Sequence, residues 1–184
     1  MTPTGDELDR ALRHVAQASR TSGILEAIAR RPAPGEREVL AAAELDQIEG
    51  LVGESWHWRP NPRTPDGGPD PRGQLNVMSS RAAALIAGDR DRWALAGDQL
   101  YIDFDLSELG TPAGTRLAIG DTEIEITDKP HRGCAKFSAR FGLDALRLVN
   151  SEIGLVLNLR GRCARVLRGG TIRAGDEVAR VDPA

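Results

Sequence analysis

The sequence of 184 residues has few cysteines, few aromatic residues and no long apolar run. Its two cysteines, Cys134 and Cys163, cannot build a disulfide framework or a four-cysteine zinc site. The longest apolar runs, such as "AAALIA" at 82–87, are too short to span a bilayer, and the acidic N-terminus lacks a signal-peptide pattern. We therefore expect a cytoplasmic protein with reduced thiols and no membrane association.

Further absences exclude several classes of function. Aromatic residues make up 4% of the chain and the net charge is −3, which argues against nucleic acid as a partner. The sequence has no NAD or flavin fingerprint and no ferredoxin-type cysteine set, so any electrons would come from a partner protein. Pyridoxal phosphate is also disfavoured, because it needs a committed lysine and Lys136 is better explained as an electrostatic neighbour of Cys134.

The patterns that are present predict a mainly β (α+β) chain. An amphipathic helix is predicted over 6–19, as part of an N-terminal extension at 1–22. Residues 23–184 then form one domain, whose short alternating segments and glycine turns favour a small barrel or sandwich. The predicted extended segments are 23–32, 37–45, 74–78, 99–106, a hairpin over 115–127 around Gly120-Asp121, 155–159, 163–172 with a Gly169-Gly170 turn, and 174–181. Short helices are predicted at about 80–88 and 142–151.

Residues 59–73, "RPNPRTPDGGPDPRG", contain five prolines and three glycines, which exclude regular structure. A loop of this length in a compact domain is a binding loop or a mobile flap. We expect it to border the functional site and to become ordered with a ligand. Just before it, His57 lies between Trp56 and Trp58, either as a core anchor or as a pocket wall, and packing is the favoured interpretation.

The stretch "KPHRGCAKFSAR" at 129–140 holds four cations, a histidine and a cysteine without an acidic residue. Nearby cations lower the pKa of a cysteine and favour the thiolate, which is both a nucleophile and a soft metal ligand. Gly133 would let a bulky ligand approach the backbone. Lys136 would face the same side as Cys134 if the segment is extended, while Lys129 would point to solvent. The alternative is an inert cysteine with solvated neighbours.

A second acid-free stretch, "NLRGRCARVLR" at 158–168, would bind phosphate if a final hairpin lies beside the Cys134 segment. Strand alternation would turn Arg165 away from Arg162 and Arg168, so part of this stretch would be a solvated face. Cys163 lies mid-strand, where a structural role is favoured.

An ordered set of motifs gives a family resemblance. In chain order they are "GILEAIARRP", "GLVGESW", "LAGDQLYIDFDL", "PAGTRLAIGDTEIEIT", "GCAKFSARFG" and "LRGRCARVLRGGTIRAGDEV". Over about residues 23–182 the chain resembles a MOSC domain of the standalone bacterial type, named after the C-terminal domain of molybdenum cofactor sulfurase. Two positions depart from the pattern, Glu54 in place of a common aspartate and "PDGGPDPRG" in place of a histidine followed by glycines.

The resemblance implies a β-barrel-like fold and one cysteine, at Cys134, that ligates the molybdenum of a pterin cofactor or carries a persulfide. The predicted functions are a small reductase-type molybdoenzyme, a sulfur carrier, or a thiol redox sensor in which Cys163 resolves Cys134. A sulfur- or electron-donor protein would be the partner. The predicted residues that bind the cofactor or another small anion are His131, Arg132, Gly133, Lys136, Arg140, Arg160, Arg162 and Arg81.

Overall fold

The computed structural model describes residues 5–62 and 64–181. The outer ends of the predicted segments 1–22 and 23–184, and residue 63 of the predicted loop, lie outside that range. Its helices are α1 (Gly5–Ala16), α2 (Ser80–Ala87), α3 (Ala135–Asn150) and α4 (Glu152–Val156). Its strands are β1 (Ser22–Arg30), β2 (Glu38–Leu40), β3 (Ala42–Asp46), β4 (Gly50–Leu51), β5 (Leu75–Ser79), β6 (Leu100–Asp103), β7 (Arg116–Ile119), β8 (Thr122–Ile126), β9 (Arg162–Arg168), β10 (Gly170–Arg173) and β11 (Glu177–Val181).

Seven of these strands close into a mixed barrel. Their order is β11, β7, β8, β9, β5, β6 and β1, and the pairing of β1 with β11 closes the ring. Neighbouring strands are antiparallel except for β5 and β6, which run parallel. Strand β2 extends the edge of β1, and β10, β3 and β4 form a separate small sheet. The predicted mainly β barrel is therefore confirmed.

Alternating apolar residues of the barrel strands fill its interior. Buried side chains such as Leu25, Ile102 and Ile124 belong to this core, because one face of each strand turns inward. The small sheet contributes Leu45 and Ile172 to the same core.

A second apolar core lies between the barrel and the helices. It contains Val15 of α1, Met78 of β5, Tyr101 of β6 and Phe137 of α3. The Tyr101 hydroxyl donates to the carbonyl oxygen of Trp93 at 2.6 Å, which satisfies the polar atom of a fully buried ring. The helices are thus fixed on the outside of the barrel, and α3 is held beside the segment that carries Cys134.

Several predicted elements have different bounds or types. The run 155–159 is not a strand, because Ser151 caps α4 by accepting from the N–H of Gly154 at 3.2 Å. A short apolar run does not distinguish a strand from a buried helix. Helix α3 begins at Ala135 rather than near residue 142, with a break at Gly142, whose φ is 88°.

The predicted final hairpin is also absent from the described residues. Strand β9 pairs with β8 and β5, whereas β10 crosses to the small sheet and pairs with β3. The Gly169-Gly170 pair therefore marks a change of sheet, because Gly169 packs against the Leu45 carbonyl where a β-carbon would lie only 2.6 Å from the oxygen. The hairpin around Gly120-Asp121 is confirmed.

Within the described part of the chain, none of the helices has the length and apolar character needed to cross a membrane.

Candidate functional site

A cavity of about 620 Å³ opens between the chain after β1, the turn at Ser55–Trp58 and the start of α3. We call it the cationic cavity, because the described residues that line it include no Asp or Glu. Its seven cationic side chains are Arg31, Arg37, Arg59, Arg132, Lys136, Arg140 and Arg160. Such a lining favours an anionic ligand.

Two buried carboxylates form ion pairs with three of these arginines. Glu54 pairs with Arg31 at 2.9 Å and with Arg59 at 3.3 Å. Asp98 pairs with Arg160 at 2.5 Å. Among the described residues no carboxylate pairs with the other four cations, Arg37, Arg132, Lys136 and Arg140. The cavity therefore has an excess of positive charge.

Three guanidinium groups converge at Gly97, on the turn that follows a short helical segment. A β-carbon at Gly97 would lie 3.6 Å from Arg140 Nη1, 3.7 Å from Arg31 Nη1 and 3.8 Å from Arg37 Nη2. Burial and the nearby charges of Arg140 and Arg31 lower the pKa of Arg37. Cations this close repel one another, so an anion bound between them would relieve the repulsion.

Two buried donors of the cavity lack partners. Within the described residues, the Nε atoms of Arg37 and Arg160 have no hydrogen-bond acceptor. Arg160 is otherwise fixed, because its Nη2 donates to the Ala96 carbonyl at 2.9 Å and its guanidinium lies 5.0 Å from the centre of the Phe137 ring. An unpaired buried donor costs free energy, so these groups are suited to bind a ligand acceptor.

Cys134 lines the same cavity and is exposed. It is the N-cap residue of α3, where its carbonyl oxygen accepts from the N–H of Phe137 at 2.9 Å while its side chain makes no capping bond. Just before it, the side chain of Asn150 accepts from the N–H of Gly133 at 3.1 Å and donates to the Gly133 carbonyl at 3.2 Å. The last turn of α3 therefore fixes the chain that presents the thiol.

His131 is largely buried in the wall of the cavity. Its Nε2 lies 2.9 Å from Oδ1 of Asp98, the carboxylate that also holds Arg160. Arg160 and the hydrogen bond of His131 oppose the effect of burial and hold the pKa of Asp98 at about 2, so it is ionised. Burial and the charge of Arg160 lower the pKa of His131. Its imidazole is therefore neutral at neutral pH.

A second cavity, of about 340 Å³, adjoins the first. The two share Arg31, Arg59, Asn76 and His131 as lining residues. The far wall contains Trp56, residues of the 59–73 loop, Lys129 and Cys163. Burial raises the pKa of the Cys163 thiol to about 11, so this cysteine is a neutral thiol at neutral pH.

Comparison with protein families identifies the fold. The model of the MOSC domain family matches residues 75–179, which is more than half of the chain. The chain belongs to the MOSC domain family. The match includes Cys134, His131 and Asp98, and it confirms the resemblance found in the sequence. Comparison with curated proteins gives no significant match.

Solved structures share the architecture of this MOSC domain. The YuaD protein of Bacillus subtilis has a TM-score of 0.66 at 15% identity, covering 85% of this chain and 94% of that one. YiiM of Escherichia coli has a TM-score of 0.55 at 17% identity, covering 89% and 70%. YiiM of Geobacillus stearothermophilus has a TM-score of 0.53 at 14% identity, covering 87% and 73%. These likenesses show the fold alone.

The MOSC fold brings six of the predicted site residues to one cavity. They are His131, Arg132, Cys134, Lys136, Arg140 and Arg160. Arg81 lies elsewhere, because it pairs with Asp103 at 2.6 Å and donates to the carbonyl of His14 at the end of α1. Arg162 is half-buried on β9 outside the lining of this cavity. Arg165 pairs with Glu125. Of the arginines in the stretch 158–168, Arg160 is the one that lines the cavity.

Two local predictions around Cys134 were wrong, namely the extended geometry of Lys136 and the solvated Lys129, whereas the approach of a ligand to Gly133 stays a prediction. Gly133 is required by packing, because a β-carbon there would lie 2.7 Å from Val149 Cγ2 and 2.8 Å from Leu146 Cδ1. Lys136 is in the first turn of α3, so the extended geometry that would place it beside Cys134 does not apply. Lys129 is not a solvated side chain, since it pairs with Asp70 at 3.3 Å.

The loop at 59–73 lines the second cavity, as expected for a segment that borders the site. Its hydrogen bonds include Asn61 N–H to the Gly67 carbonyl at 2.8 Å, and Thr127 Oγ1 donates to the Arg72 carbonyl at 2.6 Å. A short helical turn at Pro71–Gly73 differs from the prediction of no regular structure. Its ordering by a ligand stays a prediction. His57 packs edge-on against Trp58 at 4.7 Å, and Trp56 forms part of the wall.

Several important residues of the site were not predicted. Arg31 lies in the motif "GILEAIARRP" but was not singled out there, whereas Arg37 and Arg59 come from segments outside the motifs, and the fold brings all three to the cavity. Asp98 lies in the motif "LAGDQL", which could have identified it, and Glu54 was noted only as a departure from the family pattern. For both residues, the signal available in the sequence was an acidic residue within a family motif.

Proposed function

We propose that this MOSC domain binds the molybdenum cofactor in the cationic cavity, with Cys134 as its protein ligand, and acts as a small reductase. The observation that supports this most directly is the presence of one accessible thiol and seven cationic side chains in a single cavity without acidic lining. A pterin cofactor has a phosphate, polar ring edges and a metal with affinity for sulfur, and each matches a group of this wall.

The arrangement of donors fits this cofactor. The guanidiniums of Arg31, Arg37 and Arg140 around Gly97 would hold its phosphate, since arginine favours bidentate contacts with such groups. The unpaired Nε of Arg160 would donate to a pterin acceptor. A volume of about 620 Å³ is within the usual range for cofactor sites.

Cys134 would be the sole metal ligand from the protein. No group of three or more His, Cys, Asp or Glu side chains among the described residues is arranged to hold a metal. When bound, the molybdenum centre would supply two-electron oxygen-atom chemistry. The residues of the chain would bind and orient the cofactor, and His131, oriented by the ionised Asp98, would exchange a proton at the wall. A partner protein would supply the electrons.

A sulfur carrier is the second candidate, favoured by the exposure of Cys134. An exposed thiolate can attack the terminal sulfur of a donor persulfide, so that a new persulfide forms on Cys134 and the donor thiolate leaves. The thiol sensor has less support, because both cysteines are free and Cys163 is buried.

Metal and mass analysis would separate these functions. Wild type, Cys134→Ser and Cys163→Ser would be purified from cells that make the cofactor, and molybdenum, oxidised pterin and intact mass would be measured. A reductase should carry molybdenum and pterin in near-stoichiometric amounts in wild type and Cys163→Ser, and little in Cys134→Ser. An added sulfur atom without molybdenum would support the carrier. An equal loss of cofactor or sulfur loading in both variants, with intact folding, would favour the sensor.

A further inference from the structure

One ring nitrogen of His131 is hydrogen-bonded, and the other has no hydrogen-bond partner among the described residues. Asp98 is ionised and 1% exposed, so the His131 nitrogen that faces it, Nε2, must carry the hydrogen of their 2.9 Å bond. The lone pair of a neutral imidazole is then on Nδ1. Within the described residues the ring makes no other hydrogen bond. Because His131 lines both cavities, this nitrogen is suited to accept a proton at their common wall.

The charged and titratable groups around His131 belong to several elements. Arg160 and Arg31 repel an imidazolium, whereas Asp98 stabilises it. Asp70, Lys129 and Cys163 line the second cavity with it. Asp70 is ionised, because hydrogen bonds from Arg72 hold its pKa at about 2, and burial keeps the Cys163 thiol protonated. Of these groups, His131 is the one whose ordinary titration range includes neutral pH.

An anion in the cationic cavity would change this balance. In the free protein, burial and Arg160 lower the pKa of His131. An oxyanion that pairs with Arg31 and with the unpaired Nε of Arg160 would offset their repulsion and leave the attraction of Asp98. The imidazolium would then become favourable. By linkage, protonation of His131 would strengthen anion binding by the same factor.

We propose that His131 is the proton-transfer residue of this site, which takes up a proton on Nδ1 when an oxyanion binds in the cationic cavity and holds it at the wall of the second cavity. This deepens the proposed function and rests on it for the reaction served. Removing an oxygen atom as water consumes two electrons, from the partner protein, and two protons, one of which His131 would deliver.

The coupling can be measured without the cofactor. Sulfate is the probe, because it stays doubly charged across the titration range of histidine. Titration calorimetry in two buffers of different ionisation enthalpy gives the number of protons taken up per sulfate bound. Wild type should take up a substantial fraction of one proton near pH 6.5, and sulfate affinity should fall roughly tenfold from about pH 5.5 to 7.5.

His131→Gln is the test variant, because the glutamine amide can still donate to Asp98 but cannot take up a proton. It should bind sulfate with little proton uptake and with a nearly pH-independent affinity. His14→Gln, on the exposed face of α1, is the matched control and should behave as wild type. Equal proton uptake in His131→Gln and wild type would overturn the proposal, as would the absence of sulfate binding.

Nuclear magnetic resonance of wild type provides a test that does not depend on a variant. The imidazole of His131 should be the Nε2–H tautomer at neutral pH and should titrate at higher pH with sulfate than without it. The Nδ1–H tautomer, or an unchanged titration, would contradict the proposal. Proton uptake in a protein that never loads molybdenum would leave this inference intact and overturn the proposed function. Molybdenum loading without proton uptake on sulfate binding would overturn only this inference.

Discussion

At the level of single side chains, the two cysteines have opposite environments. Cys134 is exposed at the start of α3, whereas Cys163 is 3% exposed on β9, with its sulfur 3.5 Å from Oδ1 of Asn76. Burial raises the pKa of Cys163 to about 11. Since the thiolate is the reactive form, accessibility and ionisation both make Cys163 a poor nucleophile.

We predict that alkylation distinguishes the two thiols. At pH 8 only about one thousandth of Cys163 is thiolate, so iodoacetamide should label Cys134 first and Cys163 far more slowly. Peptide mass spectrometry over time would measure both rates in wild type. Unfolding in urea should abolish the protection of Cys163. Similar rates in the native protein would mean that Cys163 is accessible.

The buried pair of Asp98 and His131 predicts acid sensitivity. The folded-state pKa of Asp98 is lowered from 3.8 to about 2, so its stabilisation is present above the ordinary value and is lost as pH falls towards 2. The pKa of His131 is lowered from 6.5, so the unfolded chain takes up its proton first and stability also decreases below about pH 6.5.

The melting temperature should therefore decrease from about pH 6.5 downwards, in two phases. His131→Gln should remove the upper phase, while the control His14→Gln should retain it. Thermal unfolding followed by circular dichroism from about pH 3 to 8 would measure both. Parallel curves for His131→Gln and wild type would show that His131 is not buried in its neutral form.

At the level of elements, the last residue of α3 holds the segment that precedes the helix, at Gly133. Asn150 bonds both backbone groups of Gly133, one residue before Cys134. Asn150→Ala should lower the free energy of unfolding by about 1 kcal/mol and weaken sulfate binding several-fold, because the segment carries Arg132 and leads into the helical turn with Lys136. Urea unfolding and calorimetry measure these effects.

The control for Asn150 lies on the same helix. Asp144→Ala removes an exposed ion pair with Arg147 and should change stability by less than about 0.5 kcal/mol. It should leave sulfate affinity unchanged. If the two variants behave alike, the contact of Asn150 with Gly133 does not organise the site.

Arg81 joins three elements rather than binding a ligand. Its guanidinium pairs with Asp103 of β6 and donates at 2.9 Å to the His14 carbonyl of α1. Arg81→Met should therefore lower stability by about 1 to 2 kcal/mol and leave sulfate affinity unchanged. Arg165→Met, which removes a more exposed pair with Glu125, is the control and should cost less. A large loss of sulfate affinity in Arg81→Met would restore the role predicted from sequence.

At the level of the whole molecule, an acidic chain encloses a positively charged cavity. The net charge is −3, yet four cations of the cavity wall lack a carboxylate partner within the described residues. Binding of an anion to the folded state alone stabilises it by mass action. Folding and anion binding should therefore be coupled.

Sulfate should raise the melting temperature by several degrees once its concentration is about 100 times the dissociation constant, which corresponds to about 2.7 kcal/mol. Sodium chloride at equal ionic strength should have a smaller effect. The double variant Arg37→Met, Arg140→Met should lose the sulfate effect, whereas Arg173→Met, on the exposed face of β10, should keep it. Equal effects of the two salts would indicate screening rather than binding.

Most strands of the barrel, the family and the cationic cluster around Cys134 could be predicted from the sequence alone. Alternation of apolar residues predicted β6 to β8, and the ordered motifs indicated the MOSC family. The acid-free stretch predicted that Cys134 shares a site with His131, Arg132, Lys136 and Arg140, and all five line the cationic cavity. These features are local, because side-chain periodicity and charge along a short segment survive any tertiary arrangement. Short apolar runs were less informative, because residues 155–156 of the run 155–159 end the capped helix α4 and residues 157–159 form a turn.

Only the tertiary structure decided how the site is completed. Arg31, Arg37 and Arg59 reach the cavity because the fold places the chain after β1 and the turn at Ser55–Trp58 beside the start of α3. Asp98 contacts His131, 33 residues further along the chain, and Arg160, 62 residues further along. Arg81 and Arg162 were predicted from the same basic character but do not line the cavity. Arg81 pairs with Asp103, and Arg162 lies on β9 outside the cavity lining. The charge of a residue is encoded locally, but its partners are set by contacts between distant segments.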